Sequence, residues 1–149
     1  MPEKHNLRKE FIRSIKFLMF SISAGVVQII SFSLLHEFTD LEYWISYVIA
    51  LIISVIWNFT LNRRYTFQSA NNVTIAMLKI LGFYCVFTPL STLLGDYLAD
   101  TLEWNEYIVT LINMILNFSS EFIYDRLFVF QNSIDTNNIA KRALPKREN

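Results

Sequence analysis

Asn113, Asn117, Glu121 and Asp125 recur every four residues in an otherwise apolar stretch. In an α-helix that spacing keeps them near one face, with about 40° of drift per step. Sixty-three positions earlier the matching face carries Ala50, Ser54, Asn58 and Asn62, and the first apolar run adds Ser21, Gly25 and Gln28 at similar spacing. Such groups rest poorly against lipid tails, an acidic side chain at mid-bilayer costing about 2.5–3.5 kcal/mol. Two chemistries fit the stripe. One is a packing seam, in which small and amide side chains bring helices close and hydrogen-bond across the interface; Ser21, Gly25, Ala50 and Ser54 read best this way. The other is a polar track for a moving polar group, and ionisable Glu121 points there, since such residues in spans mark pathways or sites. A shallow Glu121 that reaches water or pairs with Arg126 is the remaining alternative.

A second set is cationic. Arg63 and Arg126 match at the same offset, Arg64 stands beside the first, and Lys16 and Lys79 match each other. Five cations at one depth would suit a lipid phosphate, because a guanidinium fork holds phosphate oxygens bidentately. Plain anchoring of basic residues at the inner face also accounts for them. Histidine is limited to His5 and His36 and cysteine to Cys85, so no metal cluster, Ser-His-Asp arrangement or intrachain disulfide can be assembled. Neither an enzyme nor a cofactor is expected.

The elements that must position these residues are membrane helices. The chain is 53% hydrophobic and 15% aromatic with three glycines in 149 residues, too apolar for a soluble domain, where about 45–50% is usual. Phe17 to Leu35 and Tyr43 to Leu61 are uncharged runs of 19 residues each, close to the roughly 20 needed to span a bilayer. Ile80 to Gly95 and Tyr107 to Ser120 are shorter, and the flanking residues extend them. The predicted fold is therefore all-α, with four transmembrane helices.

An internal match orders them. The segment from Asn58 to Gln68 reappears without a gap as Glu121 to Gln131, and Ile12, Lys16, Leu18, Phe20, Ile45 and Ile49 fall on Ile75, Lys79, Leu81, Phe83, Ile108 and Ile112. Units 12–68 and 75–131 read as a duplication. Two spans per unit make it a parallel repeat about an axis along the membrane normal.

All 13 Lys and Arg lie before the first span, between the second and third, or after the fourth, whereas the other two loops carry only acids. Both termini and the 62–79 loop are then cytoplasmic. The first span exceeds a signal-peptide core and lacks a cleavage site. Residues 1–14 form a cytoplasmic segment, 15–132 the membrane domain, and 133–149 a basic tail expected to be loosely ordered or to lie on the inner leaflet. Tyr65, Phe67, Phe128 and Phe130, with Trp44 and Trp104, read mostly as interfacial belt residues.

The phrase Asn58, Phe59, Asn62, Arg63, Tyr65, Thr66 and Phe67 resembles the one that closes the second span in the GtrA-like family of small four-span bacterial membrane proteins. The likeness covers about Ile15 to Phe130; the second copy departs from it with Glu121 and Asp125 in place of Asn58 and Asn62. The resemblance implies a protein of the bacterial cytoplasmic membrane that translocates a polyprenyl-phosphate-linked sugar for cell-surface polysaccharide or teichoic-acid glycosylation. Arg63, Arg126, Arg64, Lys16 and Lys79 would hold the lipid phosphate, and Glu121, Asn117, Asn113, Asn58, Asn62, Asp125 and Gln28 would form the track. The alternative it implies is a non-transporting anchor or activator of a polyprenyl-phosphate glycosyltransferase. Partners would be the lipid-linked sugar, membrane lipids, such a glycosyltransferase and further copies of the chain, with no nucleic acid. Drug/proton exchange fits poorly, because the first span has no acid.

The charge pattern makes the topology testable. In a Cys85→Ala background, cysteines at Asp40 or Asp100 should react with an impermeant thiol reagent added outside intact cells, and one at Ser69 should not. Labelling at Ser69 alone would invert the orientation.

Overall fold

The computed structural model describes residues 2–143, without the side chains of residues 2–5, Trp44 and Glu106. Lys4, Trp44, Glu106, Lys146 and Arg147, used above in the charge and belt readings, thus lie wholly or in their side chains outside the described residues. Regular structure is all helical among the described residues: α1 Pro2–Phe38, α2 Tyr43–Leu61, α3 Val73–Asp96, α4 Glu106–Tyr124 and α5 Asn138–Ala143. Four segments, Asn6–Phe38, Ile45–Thr66, Val73–Thr101 and Tyr107–Val129, are long and apolar enough to cross a membrane. The chain is a multi-pass membrane protein.

Helix bounds follow the sequence chemistry. α2 coincides with the uncharged run Tyr43 to Leu61. α1 has 37 residues, about 55 Å of helix at 1.5 Å per residue, so its charged first turns lie beyond a hydrocarbon core of about 30 Å. α3 starts earlier than its apolar run, because Asn72 caps it by accepting from the Ile75 N–H at 3.1 Å. Asn105 does the same for α4, accepting from the Tyr107 N–H at 2.9 Å.

Three helices end in a π turn: Asn62–Thr66 after α2, Tyr97–Thr101 after α3 and Asp125–Val129 after α4. The wide turn closes where the Phe67 N–H donates to the Asn62 carbonyl and the Phe130 N–H to the Asp125 carbonyl, both at 2.9 Å. After the first, the chain reverses at Gln68, whose φ of 49° is left-handed, while the Ser69 N–H reaches back to the Arg63 carbonyl at 2.8 Å. Both copies of the repeated phrase thus run through a π turn. Two residues are about half a turn, so Phe67 and Phe130 are fully buried while Tyr65 and Phe128 face outward. Phe67 and Phe130 are core residues and not belt anchors, which corrects the sequence reading.

The described chain divides into two compact units, residues 2–70 with 133–143, and Asn71–Asn132. In the first, α1 packs on α2 through Phe17, Ala24, Ser46, Ala50, Ser54 and Phe59. Phe17 meets Phe67 edge-on, ring centroids 6.2 Å apart, and the Trp57 indole donates to Ser23 Oγ at 3.1 Å. In the second, the Tyr124 hydroxyl donates to the Lys79 carbonyl at 3.0 Å, and Lys79 Nζ to the Phe128 carbonyl at 2.9 Å. Phe83 lies 5.1 Å from the Tyr124 ring.

Of the tail 133–149, expected to be loosely ordered or to lie on the inner leaflet, residues 133–143 pack against the first unit, and 144–149 lie outside the described residues. A π turn leaves carbonyls without helical donors, and this segment supplies them. The Asp135 N–H donates to Phe67 O at 3.0 Å, those of Thr136 and Asn137 to Gln68 O at 2.9 Å, and Asn137 Nδ2 to Arg64 O at 2.8 Å. Asn137 Oδ1 meanwhile caps α5, accepting from Ile139 and Ala140. Buried Arg13 pairs with Glu10 and Asp135. Ser69 is buried here too, its Oγ 2.6 Å from that of Ser133, so exposed Ala70 is the fairer inner probe for the labelling test.

Asn137 joins two of these roles. Asn137→Ala should cost about 1 kcal/mol, as loss of a cap does. Amides of Asp135, Thr136 and Ala140 should then exchange hydrogen roughly fivefold faster while α2 is unaffected. Unchanged exchange would mean that the segment is held by other contacts.

Candidate functional site

A step of four residues runs one seam along each unit's second helix. In the first unit it is Ser46, Ala50, Ser54, Asn58, Asn62 and Thr66; in the second, Val109, Asn113, Asn117, Glu121, Asp125 and Val129. Each of the twelve residues is buried or half-buried. Their hydrogen bonding differs.

The first seam closes on itself. Asn62 Nδ2 donates to Asn58 Oδ1 at 2.8 Å and to its carbonyl at 3.1 Å, and Thr66 Oγ1 donates to Asn62 Oδ1 at 2.7 Å. From α1, Ser21 Oγ approaches Asn58 Oδ1 at 3.4 Å, and Ser54 Oγ approaches Gln28 Oε1 at 3.4 Å. An amide carries both donor and acceptor, so a run of them passes the hydrogen bond from turn to turn. Asn58, Asn62 and Gln28 are therefore gathered by the fold as a satisfied seam, with Ser46 Oγ at its far end unpartnered among the described residues.

The second seam cannot close. Where Asn58 and Asn62 stand in the first, Glu121 and Asp125 stand here, and ionised carboxylates only accept. The Tyr84 hydroxyl of α3 donates to Glu121, and its charge environment includes Asp125 as well. Glu121 is 6% and Asp125 3% exposed. Asn113 Oδ1, Asn117 Oδ1 and Asp125 Oδ1 are buried with no hydrogen-bond partner among the described residues. At the position matching Gln28 stands Ser91, whose short side chain donates to the Thr88 carbonyl at 3.0 Å. Nothing of Gln28's reach is left for Asn117. Each unmet acceptor costs about 1–3 kcal/mol, which packing alone does not explain.

Tyr84 was not legible as a site residue, although a signal existed: at the repeat offset it matches Ser21. A hydroxyl of the first helix of each unit thus meets the corresponding side chain of the second, Ser21 at Asn58 and Tyr84 at Glu121. Gly95 was missed as well. A Cβ there would lie 2.9 Å from Asn113 Nδ2, so a larger residue would have to displace that amide.

The cations sit at the ends of these helices. Arg63 and Arg126 are each the second residue of a π turn and half-buried; Lys16 on α1 is half-buried, and Lys79 and Arg64 are exposed. Arg64 lies over the Tyr65 ring, 5.4 Å from its centroid. Arg63, Arg64 and Lys16 belong to the first unit with Gln28, Asn58 and Asn62, whereas Arg126 and Lys79 belong to the second with the open seam.

The GtrA/DPMS transmembrane domain matches residues 16–130 of the chain. The matched stretch contains both seams and all five cations and leaves out Arg13 and the segment 133–143. No curated protein and no solved structure matches.

The Gly95 contact is testable by a double-mutant cycle. In an Asn113→Ala background, Gly95→Ala should stabilise the purified protein by up to about 1 kcal/mol, the helix-propensity gain. With Asn113 present the clash should cancel or reverse that gain. Equal effects in the two backgrounds would show that the Cβ meets something else.

Proposed function

Because the chain belongs to the GtrA/DPMS transmembrane-domain family, we propose that it translocates a polyprenyl-phosphate-linked sugar across the bacterial cytoplasmic membrane for cell-surface polysaccharide or teichoic-acid glycosylation. One observation carries this reading beyond the family: the row of unpartnered acceptor oxygens along α4. A sugar hydroxyl moved from water into hydrocarbon without a partner costs about 4–8 kcal/mol, so several together forbid unaided crossing. Asn113, Asn117, Glu121 and Asp125 offer those hydroxyls acceptors at successive helix turns. The polyprenyl tail stays in lipid.

In this reading the first unit's closed seam is scaffold: Asn58 and Gln28 serve the track only by holding α2 to α1, and Asn62 by fixing Asn58. Arg63 with Arg64 and Lys16, and in the other unit Arg126 with Lys79, hold the phosphate at the cytoplasmic ends of the spans. The two units are a parallel repeat with both termini inside. Copies of the chain assemble to enclose the path, a polyprenyl-phosphate glycosyltransferase acts beside them, and the chain performs no covalent chemistry of its own.

Liposomes holding the protein and a labelled lipid-linked sugar test this. Wild type should expose the label to an outside reagent faster than empty liposomes, and Glu121→Gln, which keeps shape but removes charge, should abolish the gain while preserving expression. Arg63→Gln and Arg126→Gln should each weaken binding of the lipid-linked sugar roughly tenfold or more, as loss of a charged hydrogen bond does. Lysine should restore it in part, and Arg142→Gln should have no effect. If wild type behaves like empty liposomes while cells still need the protein for surface glycosylation, the anchor role replaces the translocator.

A further inference from the structure

On the open seam of α4, the Glu121 and Asp125 positions bring no donor when ionised. Glu121 and Asp125 stand one turn apart, about 6 Å along the axis, and both are almost entirely withdrawn from solvent. Asp125 shares the surroundings of Glu121: the Glu121 carboxyl acts electrostatically on Asp125, and both act on the Tyr84 hydroxyl. Yet Asp125 Oδ1 accepts nothing among the described residues, and one turn before Glu121 neither does Asn117 Oδ1. Two ionised carboxylates so placed repel each other, and neither can donate to the unmet oxygen beside it. A protonated carboxyl can. One proton held on the pair removes a charge and supplies the missing donor.

The fold does not demand this arrangement. At the matching positions of the first unit, Asn58 and Asn62 fill the same places, bring their own donors and carry no charge. Carboxyls in place of amides leave the backbone course unchanged, since a π turn closes after Asn62 and Asp125 alike. What the replacement adds is the ability to take up and release a proton.

We propose that Glu121 and Asp125 form a proton-carrying site, assisted by Tyr84, and that the headgroup moves along α4 coupled to proton uptake and release there. The inference rests on the translocator reading for its coupling but not for the site itself. The other titratable or charged groups of this unit close to the pair are Tyr84 and Lys79 on α3, Tyr124 one turn after Glu121, and Arg126 next to Asp125. Lys79 Nζ donates to the Phe128 carbonyl and the Tyr124 hydroxyl to the Lys79 carbonyl, which leaves Tyr84 as the hydroxyl on the pair. The chemistry is proton transfer alone: a carboxylate oxygen takes a proton from water on one side and returns it to water on the other, and no bond of the sugar lipid is made or broken. A pair that holds one proton also repels a passing anionic phosphate less than a doubly ionised pair would.

Two measurements test the site and its coupling separately. Infrared difference spectra of the purified full chain in lipid, recorded across a pH step, should show a protonated-carboxyl band sensitive to deuterium exchange. It should be absent from the Glu121→Gln/Asp125→Asn double variant and displaced in Tyr84→Phe, which keeps both acids. A wild type without that band overturns the site. In liposomes carrying labelled polyprenyl-phosphate sugar and an internal pH dye, an imposed pH gradient should change the wild-type translocation rate several-fold and proton entry should require the sugar lipid, whereas a sodium gradient at constant pH should do nothing. Translocation that ignores the pH gradient, or follows sodium instead, overturns the coupling while the translocator reading stands. No translocation with the band present overturns that reading and leaves the proton site in place.

Discussion

Every polar atom buried in a membrane span must find a partner within the protein, because hydrocarbon offers none. The second helices of the two units answer this constraint in opposite ways. On α2 and its π turn, Asn58, Asn62 and Thr66 hand one hydrogen bond along successive turns; from α1, Ser21 joins at Asn58 and Gln28 meets Ser54 one turn away. On α4 the equivalent row ends in two carboxylates, and acceptors stay open at Asn113, Asn117 and Asp125. Matching rows of residues thus close on themselves in one helix pair and leave acceptors open in the other, a cost that the rest of the fold must offset.

The constraint also shapes the helix ends. A π turn widens the backbone just where α2 and α4 reach their basic residues, placing Arg63 and Arg126 on the wide turn while turning Phe67 and Phe130 into the core. Carbonyls released by the turn after α2 are met by Asp135, Thr136 and Asn137. The segment after α4 is therefore a structural part of the first unit. Arg64 shows the division of labour: its carbonyl is tied by Asn137, and its guanidinium lies over Tyr65.

Lipid-facing surface follows from the same logic. Leu, Ile, Val and Met side chains along α1, α3 and α4 are widely exposed, which would be costly in water and is neutral in hydrocarbon. Few side chains are buried deeply, and those that are, apart from Phe17, Phe67 and Phe130, are mostly small or polar. Cohesion within each unit accordingly leans on specific hydrogen bonds, such as those of Tyr124 and Lys79 in the second.

The sequence alone determined what periodicity, charge and local phrase encode. These were the four apolar helices, the extent of α2, the four-residue stripe of α4, and the residues that carry the family likeness. Each depends on neighbours within a turn or on the bulk preference of a span for lipid. Only tertiary structure decided which members of the stripes are satisfied. That depends on the reach of side chains from another helix, where Gln28 meets Ser54 and Ser91 turns to its own backbone. It likewise decided that Tyr84 serves Glu121 and that Asn137 is a structural clasp, not part of a loose basic tail. Those contacts join residues 37 positions apart in one case and 73 in the other. No local pattern records such pairs, because a hydrogen bond across helices is fixed by distance in space, and a composition of Asn, Lys and Arg does not reveal which carbonyls a π turn has left open.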